Sequence, residues 1–265
     1  METGMCIFNG IDFVDQVKYL KKHGVSRTFV MSDTPDFDKV MELFSENGII
    51  CDTLHAPFDK INDMWSTNET SAQSMLDRLK DGVDKCAKYK IPAIIVHVSS
   101  GQPMPEINAQ GVARYDELFE YARSAGVTVA LENLRYLENL SFFMDRHEDL
   151  VFCWDCGHEY GFTKGIRFLN LYGDRLGALH IHDNRCGVNT DDHLIPFDGM
   201  IDFDKITDAL AEVSYTGTMM LEIGKLVSVE HSLPYASLSD EEFIIRAASA
   251  AKKLADEVES KRQAI

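Results

Sequence analysis

Eight short apolar runs alternate with eight amphipathic segments along this chain, and the alternation limits its possible folds more than any other feature. The apolar runs have the length of strands, and the segments between them have helical spacing. The predicted strands are 4–8, 27–31, 49–55, 93–98, 127–132, 150–155, 176–182 and 218–223. Strict alternation implies parallel strands, and eight such units close a barrel. We therefore predict an α/β protein with a single (β/α)8 barrel domain over residues 1–265.

The predicted helices have recognisable ends. They are 11–23, 36–47, 69–90, 108–125, 139–147, 163–173, 202–213 and 239–260. Ser239 followed by Glu242 predicts a capping box, and Gly48 stands where a C-cap glycine is expected. The long polar stretch 183–201 is predicted to be a functional loop after strand seven. An open doubly wound sheet is the competing architecture, but the first strands lack the glycine-rich turn of a nucleotide fold.

Side chains with metal-binding chemistry end six of the predicted strands. They are His55, His97, Glu132, Asp155, His180 and Glu222. A polar group that ends an apolar strand needs a partner, and the carboxyl-terminal ends of parallel barrel strands share one rim. Imidazoles and carboxylates without thiolates are typical ligands of zinc or manganese, and of iron or cobalt. We therefore predict a divalent-metal site at this rim.

Several neighbouring residues have alternative explanations. Asp191 and His193 on their own are typical of a solvated loop. His182 shares a strand face with His180, so one of the two is a ligand and the other a neighbour. Arg185 is either a substrate contact or a surface charge. The sequence alone leaves these alternatives open, and only the joint placement of the rim residues favours a site.

Charge and cysteine usage limit the partners and the compartment. The chain has 43 acidic and 26 basic residues, a formal charge of −17. This charge repels phosphate backbones, so no nucleic-acid partner is expected. The chain shows neither the roughly 20 apolar residues of a membrane helix nor a secretory signal, so we expect no membrane partner. Six singly spaced cysteines, including Cys153 and Cys156, suit reduced structural thiols in a cytoplasmic protein. The sequence neither predicts nor excludes a homo-oligomer.

Seven motifs give the whole chain a resemblance to a known family. They are LHAP at 54–57, VHVSSG at 96–101, ALENL at 130–134, WDCGH at 154–158, LHIHDN at 179–184, DDHLIPFDGMIDF at 191–203 and MLEI at 220–223. On these motifs the chain resembles the xylose isomerase-like TIM barrels. This superfamily includes sugar and sugar-phosphate isomerases and epimerases and the type IV AP endonucleases. The chain departs from the family pattern at Phe197, where a glycine is expected.

The resemblance implies two alternative metal sites. In the epimerases one ion is held by residues that match Glu132, Asp155, His180 and Glu222, and the two glutamates are the acid–base pair. In the type IV endonucleases three zinc ions are held. By motif, the first zinc would take His55, His97 and Glu132, the second would take the four epimerase residues, and the third would take His158, Asp191 and His193. The cofactor is therefore predicted to be one to three divalent ions.

The favoured functional prediction is a metal-dependent sugar or sugar-phosphate isomerase or epimerase. The ion would polarise a ketose carbonyl, while Glu132 and Glu222 transfer a proton through a cis-enediolate. His158, His182 and Arg185 are the predicted substrate contacts. No cluster of Lys and Arg marks a phosphate pocket, which favours an unphosphorylated sugar.

Two other functions remain as alternatives. One is a phosphodiesterase of the AP endonuclease type with a trinuclear zinc site. The acidic charge disfavours it, as does the short acidic segment SDTPDFDKV that replaces a basic insertion after strand two. The other is a non-catalytic, metal-dependent sugar-binding protein, but binding alone would not require two opposed glutamates.

Overall fold

The computed structural model describes all 265 residues and contains eight parallel strands in a nearly closed barrel. The strands are β1 Thr3–Ile7, β2 Arg27–Met31, β3 Ile50–His55, β4 Ala93–Val96, β5 Thr128–Glu132, β6 Val151–Asp155, β7 Leu176–His180 and β8 Met219–Ile223. Their hydrogen-bonded order is β7-β6-β5-β4-β3-β2-β1-β8. A parallel bridge between Ile181 and Leu221 links β7 to β8. The predicted (β/α)8 barrel is confirmed.

Helices connect the strands. They are α1 Phe13–Lys22, α2 Phe37–Asn47, α3 Glu69–Tyr89, α4 Ala109–Ser124, α5 Leu137–Met144, α6 Cys156–Phe162, α7 Phe168–Tyr172, α8 Phe203–Glu212 and α9 Asp240–Arg262, with 3-10 turns at Ile61–Trp65 and Gly173–Arg175. The predicted capping box is present, because Ser239 and Glu242 cap one another at the start of α9. Gly48 ends α2 at φ 68°, the left-handed conformation that glycine adopts without strain. None of the helices is both long enough and apolar enough to cross a bilayer.

One helix was not predicted. The segment after β6 folds into α6, which starts directly at Cys156, and the side chain of Asp155 accepts a hydrogen bond from the backbone N–H of His158 at 2.6 Å. Seven residues are too few to show an amphipathic period, so the sequence pattern does not reveal this helix. The helix matters for the site because it turns His158 back towards the barrel mouth.

Candidate metal centre

The predicted strand-end side chains converge at the carboxyl-terminal rim of the barrel. The residue two positions before each of them lies on the same inner face, because side chains alternate along a strand. Four of these inner residues, Ile95, Ala130, Cys153 and Ala178, form one buried apolar cluster. This layer fills the barrel below the rim, so the polar side chains lie together at its mouth.

Glu132 is the centre of a first group of ligand atoms. Its Oε2 lies 2.9 Å from His97 Nε2 and 3.3 Å from His55 Nε2. Its Oε1 lies 3.2 Å from His180 Nδ1 and 3.4 Å from His158 Nδ1. Glu222 joins the group through its Oε2, which is also 3.2 Å from His180 Nδ1. The two glutamates that the resemblance pairs as acid and base therefore face the same imidazole nitrogen.

Asp191 is the centre of a second group. Its Oδ1 lies 3.1 Å from His193 Nε2 and 3.7 Å from His182 Nε2, and its Oδ2 lies 3.5 Å from His158 Nε2. Asp155 joins through its Oδ1, which is 3.3 Å from His182 Nε2. The resemblance places Asp155 with His180, but within 4 Å its imidazole neighbours are His158 and His182. The two groups meet at His158.

The separations between these donor atoms suit bound metal ions. Two nitrogen or oxygen ligands of one tetrahedral ion, each bound at about 2.0–2.1 Å, lie about 3.3 Å apart. The observed distances run from 2.9 Å to 3.7 Å. His182 Nε2 and Asp155 Oδ2 are also buried without a hydrogen-bond partner, which is rare for polar atoms in folded proteins. The residues present therefore fit divalent metal ions.

Cys153 lies below the first group, and its sulfur is within ligand range of Glu132 and His180. Burial, reinforced by the Glu132 charge, raises the pKa of the Cys153 thiol well above its ordinary value. In the metal-free protein this thiol is therefore protonated and is part of the buried layer. All six cysteines are free, as expected for reduced structural thiols.

The site is a network of mutually stabilised charges. Burial opposes the ionisation of Glu132, but the facing charges of His180 and His97 outweigh burial and hold its pKa well below the ordinary value. Burial likewise opposes protonation of His180, but Glu222 and Glu132 raise its pKa well above the ordinary value. At His193, burial is outweighed by the Asp191 carboxylate, and the pKa rises to about 9. In the metal-free protein Glu132 is therefore ionised and His180 and His193 are protonated at neutral pH, whereas burial holds the pKa of His97 below its ordinary value.

These pKa shifts predict that metal binding displaces protons. A bound imidazole nitrogen must be unprotonated, so an ion that binds His193 at pH 7 releases the proton held by its pKa of about 9. We expect the apparent affinity of the metal-free protein to increase as pH rises towards 9. Calorimetric titration with Zn²⁺ or Mn²⁺ in buffers of different protonation enthalpy measures the protons released. Binding without proton release at pH 7 would show that His193 is not protonated in the metal-free protein.

A cavity of about 210 Å³ opens onto the first group. Besides the ligand candidates it is lined by Phe58, Ser99, Ser100, Gly101, Leu134, Arg135 and Phe162. Arg135 stacks on Phe162, with 3.8 Å from its guanidinium carbon to the ring centroid, and donates a hydrogen bond to Asn189 at 2.9 Å. It is the one Lys or Arg side chain of this lining and is in no ion pair with a carboxylate. Arg135 was not predicted from the sequence, although its position three residues after Glu132 was an available signal.

The three predicted substrate contacts lie in different environments. His158 lines the cavity. His182 is completely buried and lies outside the lining. Arg185 is also outside the lining, because its Nε and Nη2 each donate to Asp192 at 2.9 Å and its Nη1 lies 3.1 Å from Glu230. The structure thus places the Arg185 charge in ion pairs with Asp192 of the loop after β7 and with Glu230 of the segment after β8.

The buried imidazoles and carboxylates at the carboxyl-terminal rim make this chain an α/β barrel with a candidate metal centre. Residues 6–258 match the family model described as "Xylose isomerase-like TIM barrel", and the chain belongs to this family. The resemblance found in the sequence motifs is confirmed.

Curated relatives match only part of the chain. An uncharacterised protein, y4fM of Sinorhizobium fredii, is 31% identical over 173 residues, which are 59% of this chain and 55% of that protein. An inosose dehydratase of Yersinia enterocolitica is 25% identical over 148 residues, 46% of this chain and 49% of the enzyme. The chain therefore spans about half the length of these two relatives.

Solved structures match nearly the whole fold. A D-psicose 3-epimerase with D-tagatose, from Clostridium cellulolyticum H10, has a TM-score of 0.76 at 16% identity and covers 94% of both chains. The IOLI protein with a binding zinc atom has a TM-score of 0.72 at 18% identity, covering 98% of this chain and 99% of its own. At sequence identities of 16% and 18%, the structural similarity establishes the fold alone.

Proposed function

We propose that this protein is a divalent-metal-dependent isomerase or epimerase that transfers a proton beside the carbonyl group of a sugar. The observation that carries the proposal is the pair Glu132 and Glu222, which reach the same nitrogen of His180, each at 3.2 Å, from strands β5 and β8. Removal of a proton from the substrate gives a planar intermediate, and a proton then returns on the other face or at a neighbouring carbon. This chemistry needs two carboxylates around one substrate. The relatives named as an epimerase and an inosose dehydratase support a polyhydroxylated ketone as substrate.

The two glutamates have different access to the substrate. The Glu222 side chain is 15% exposed, whereas that of Glu132 is 1% exposed. Glu222 is therefore our candidate for the base that removes the proton, and Glu132 for the group that returns one. Because Glu132 is ionised in the resting protein, it would first have to take up a proton from a neighbouring imidazolium. His180 holds both carboxylates in place and, with them, would hold the ion. When bound, that ion supplies Lewis-acid polarisation of the substrate carbonyl.

Arg135 is our candidate for binding the far end of the substrate. We expect Arg135→Ala to raise KM by about 10- to 100-fold with a smaller change in kcat, because a hydrogen bond from a charged donor contributes about 1.5–3 kcal/mol. Steady-state kinetics on the responsive ketose measures both constants. The matched control is Arg146→Ala, since Arg146 also stacks on a phenylalanine, Phe142, but lies outside the cavity lining. Equal KM values for the two variants would show that Arg135 does not bind the substrate.

The proposed function is tested by hydrogen exchange. The metal-loaded protein is incubated in D₂O with a panel of ketoses, ketose phosphates and inososes, and deuterium at the carbon beside the carbonyl is followed by NMR. We expect incorporation into at least one substrate, with an isomer, epimer or dehydrated product identifying the reaction. A fully metal-loaded protein that exchanges no member of the panel would reject the proposal.

A second candidate function is favoured by the number of ligand atoms. The two groups around Glu132 and Asp191 offer more ligands than one ion requires, and several ions close together are typical of phosphodiester hydrolysis. Incision of an abasic-site duplex at low salt tests this function. Turnover of about 1 per second or faster, without exchange into any sugar, would favour the hydrolase over the isomerase.

A further inference from the structure

We propose that His182 is itself a metal ligand, and that with Asp155, Asp191 and His193 it forms a metal position separate from the group around Glu132. Neither the epimerase nor the endonuclease ligand set contains this histidine. The proposal rests on the metal requirement of the proposed function. Its support is the ring orientation, the unpartnered nitrogen and the packing around the imidazole.

The orientation of His182 matches that of the other candidate ligands. In three of them Nδ1 faces a backbone carbonyl: His55 at 2.7 Å, His158 at 3.0 Å and His193 at 3.1 Å. His182 Nδ1 does the same, 3.3 Å from the carbonyl of Asp183. A hydrogen bond of this kind is the usual way in which proteins fix the tautomer and orientation of a metal-binding histidine. It leaves Nε2 free to bind an ion.

The second nitrogen of His182 faces only acidic groups. Nε2 is buried without a hydrogen-bond partner, although Asp155 Oδ1 lies 3.3 Å away and Asp191 Oδ1 lies 3.7 Å away. With the Nδ1 proton donated to the carbonyl, these three facing atoms are all acceptors. Asp155 Oδ1 accepts from the backbone N–H of His158 and Asp191 Oδ1 faces His193, but His182 Nε2 and Asp155 Oδ2 are buried acceptors without a donor. Such acceptors are costly unless a cation lies near them. The distances are those expected between ligands of one ion.

The surroundings keep the His182 ring in this position. Its face stacks on His193, with centroids 4.2 Å apart and an interplanar angle of 21°. On another side lies Gly157, where a Cβ atom would come within 2.0 Å of the ring carbon Cε1. Any other residue at 157 would displace the ring. A ring held on both sides with an unpartnered nitrogen is preorganised for ligation.

The test is the metal content of His182→Gln, which keeps a polar side chain but removes the imidazole. Metal-free protein is reconstituted with Co²⁺, desalted, and analysed for cobalt per chain and for visible absorption. We expect the variant to hold about one equivalent less than the wild type and to lose part of the absorption. The matched control is His147→Gln, because His147 Nε2 pairs with Asp116 at 2.9 Å away from the rim. Cobalt content and spectrum equal to those of the wild type in His182→Gln would overturn the proposal.

A measurement on the unchanged protein covers the case in which the variant fails to fold. Anomalous diffraction from wild-type crystals grown with Co²⁺ should place an ion about 2.0–2.2 Å from His182 Nε2. Ions found only beside Glu132 would overturn the proposal. Both readouts are independent of turnover. A protein with an ion at His182 and no ketose exchange would therefore support this ligand while rejecting the proposed function.

Discussion

Glu222→Gln is expected to slow proton exchange by about 10²–10⁴-fold while the fold and most of the metal content survive. The carboxylate lines the cavity, and its Oε2 lies 3.2 Å from His180 Nδ1. Burial opposes its ionisation, but the His180 charge outweighs burial and keeps the pKa of Glu222 below the ordinary value. The amide keeps the volume and one oxygen that can face the ion, yet it cannot accept the substrate proton.

Exchange of deuterium into the responsive ketose measures the effect of Glu222→Gln, with metal content determined on the same sample. Glu117→Gln is the control, because Glu117 pairs with Lys80 on the outer helices and its side chain is 55% exposed. The control should retain the wild-type rate. A Glu222→Gln enzyme with an unchanged exchange rate and full metal content would show that another residue is the base.

The barrel was predictable because each strand carries its own signal. The β4, β5 and β8 segments are short buried apolar runs with a polar side chain at the last strand residue or next to it, and a pattern of this kind does not depend on distant contacts. Once the strands are parallel, their carboxyl-terminal ends must share a rim. For this reason the meeting of His55, His97 and Glu132 could be predicted across many residues of sequence.

The pairing inside the site could not be predicted in the same way. Strand order places Asp155 beside His180, but α6 and the segment after β7 bring the imidazoles of His158 and His182 to it instead, and Asp191 lies next to His182. These contacts depend on backbone turns that have no periodic signal. His193, for example, has a φ of 46°, a left-handed backbone conformation that residues other than glycine seldom adopt.

Phe197 shows that a departure from a family pattern can keep the family's backbone shape. The resemblance predicts a glycine here, and the structure gives Phe197 a φ of 77°, within the region that glycine prefers. Such a conformation costs about 1–3 kcal/mol for other residues. The ring is covered by Lys253, whose Nζ lies 3.9 Å from the ring centroid, and it contacts Phe203. A comparison of sequence motifs does not reveal packing of this kind.

Glu132→Gln is expected to remove both metal and activity, because Glu132 is the residue through which the first group is connected. One carboxylate oxygen lies within 3.3 Å of His55 and His97, and the other lies within 3.4 Å of His158 and His180. An amide has one acceptor oxygen, so its nitrogen must face a pair of imidazoles that the carboxylate attracted. Its neutrality also removes the charge that balances the positive His180 in the metal-free protein and the ion in the metal-loaded one.

We therefore expect Glu132→Gln to lose at least one equivalent of metal and to exchange substrate at least 10³-fold more slowly, whereas Glu222→Gln keeps most of its metal. Metal analysis of the two variants beside the wild type, with thermal unfolding to confirm the fold, separates these outcomes. A Glu132→Gln protein that is folded and fully metal-loaded would show that Glu132 is not required to hold an ion. In that case a low exchange rate would assign it to proton transfer alone, and the ions would depend on Glu222 and on the group around Asp191.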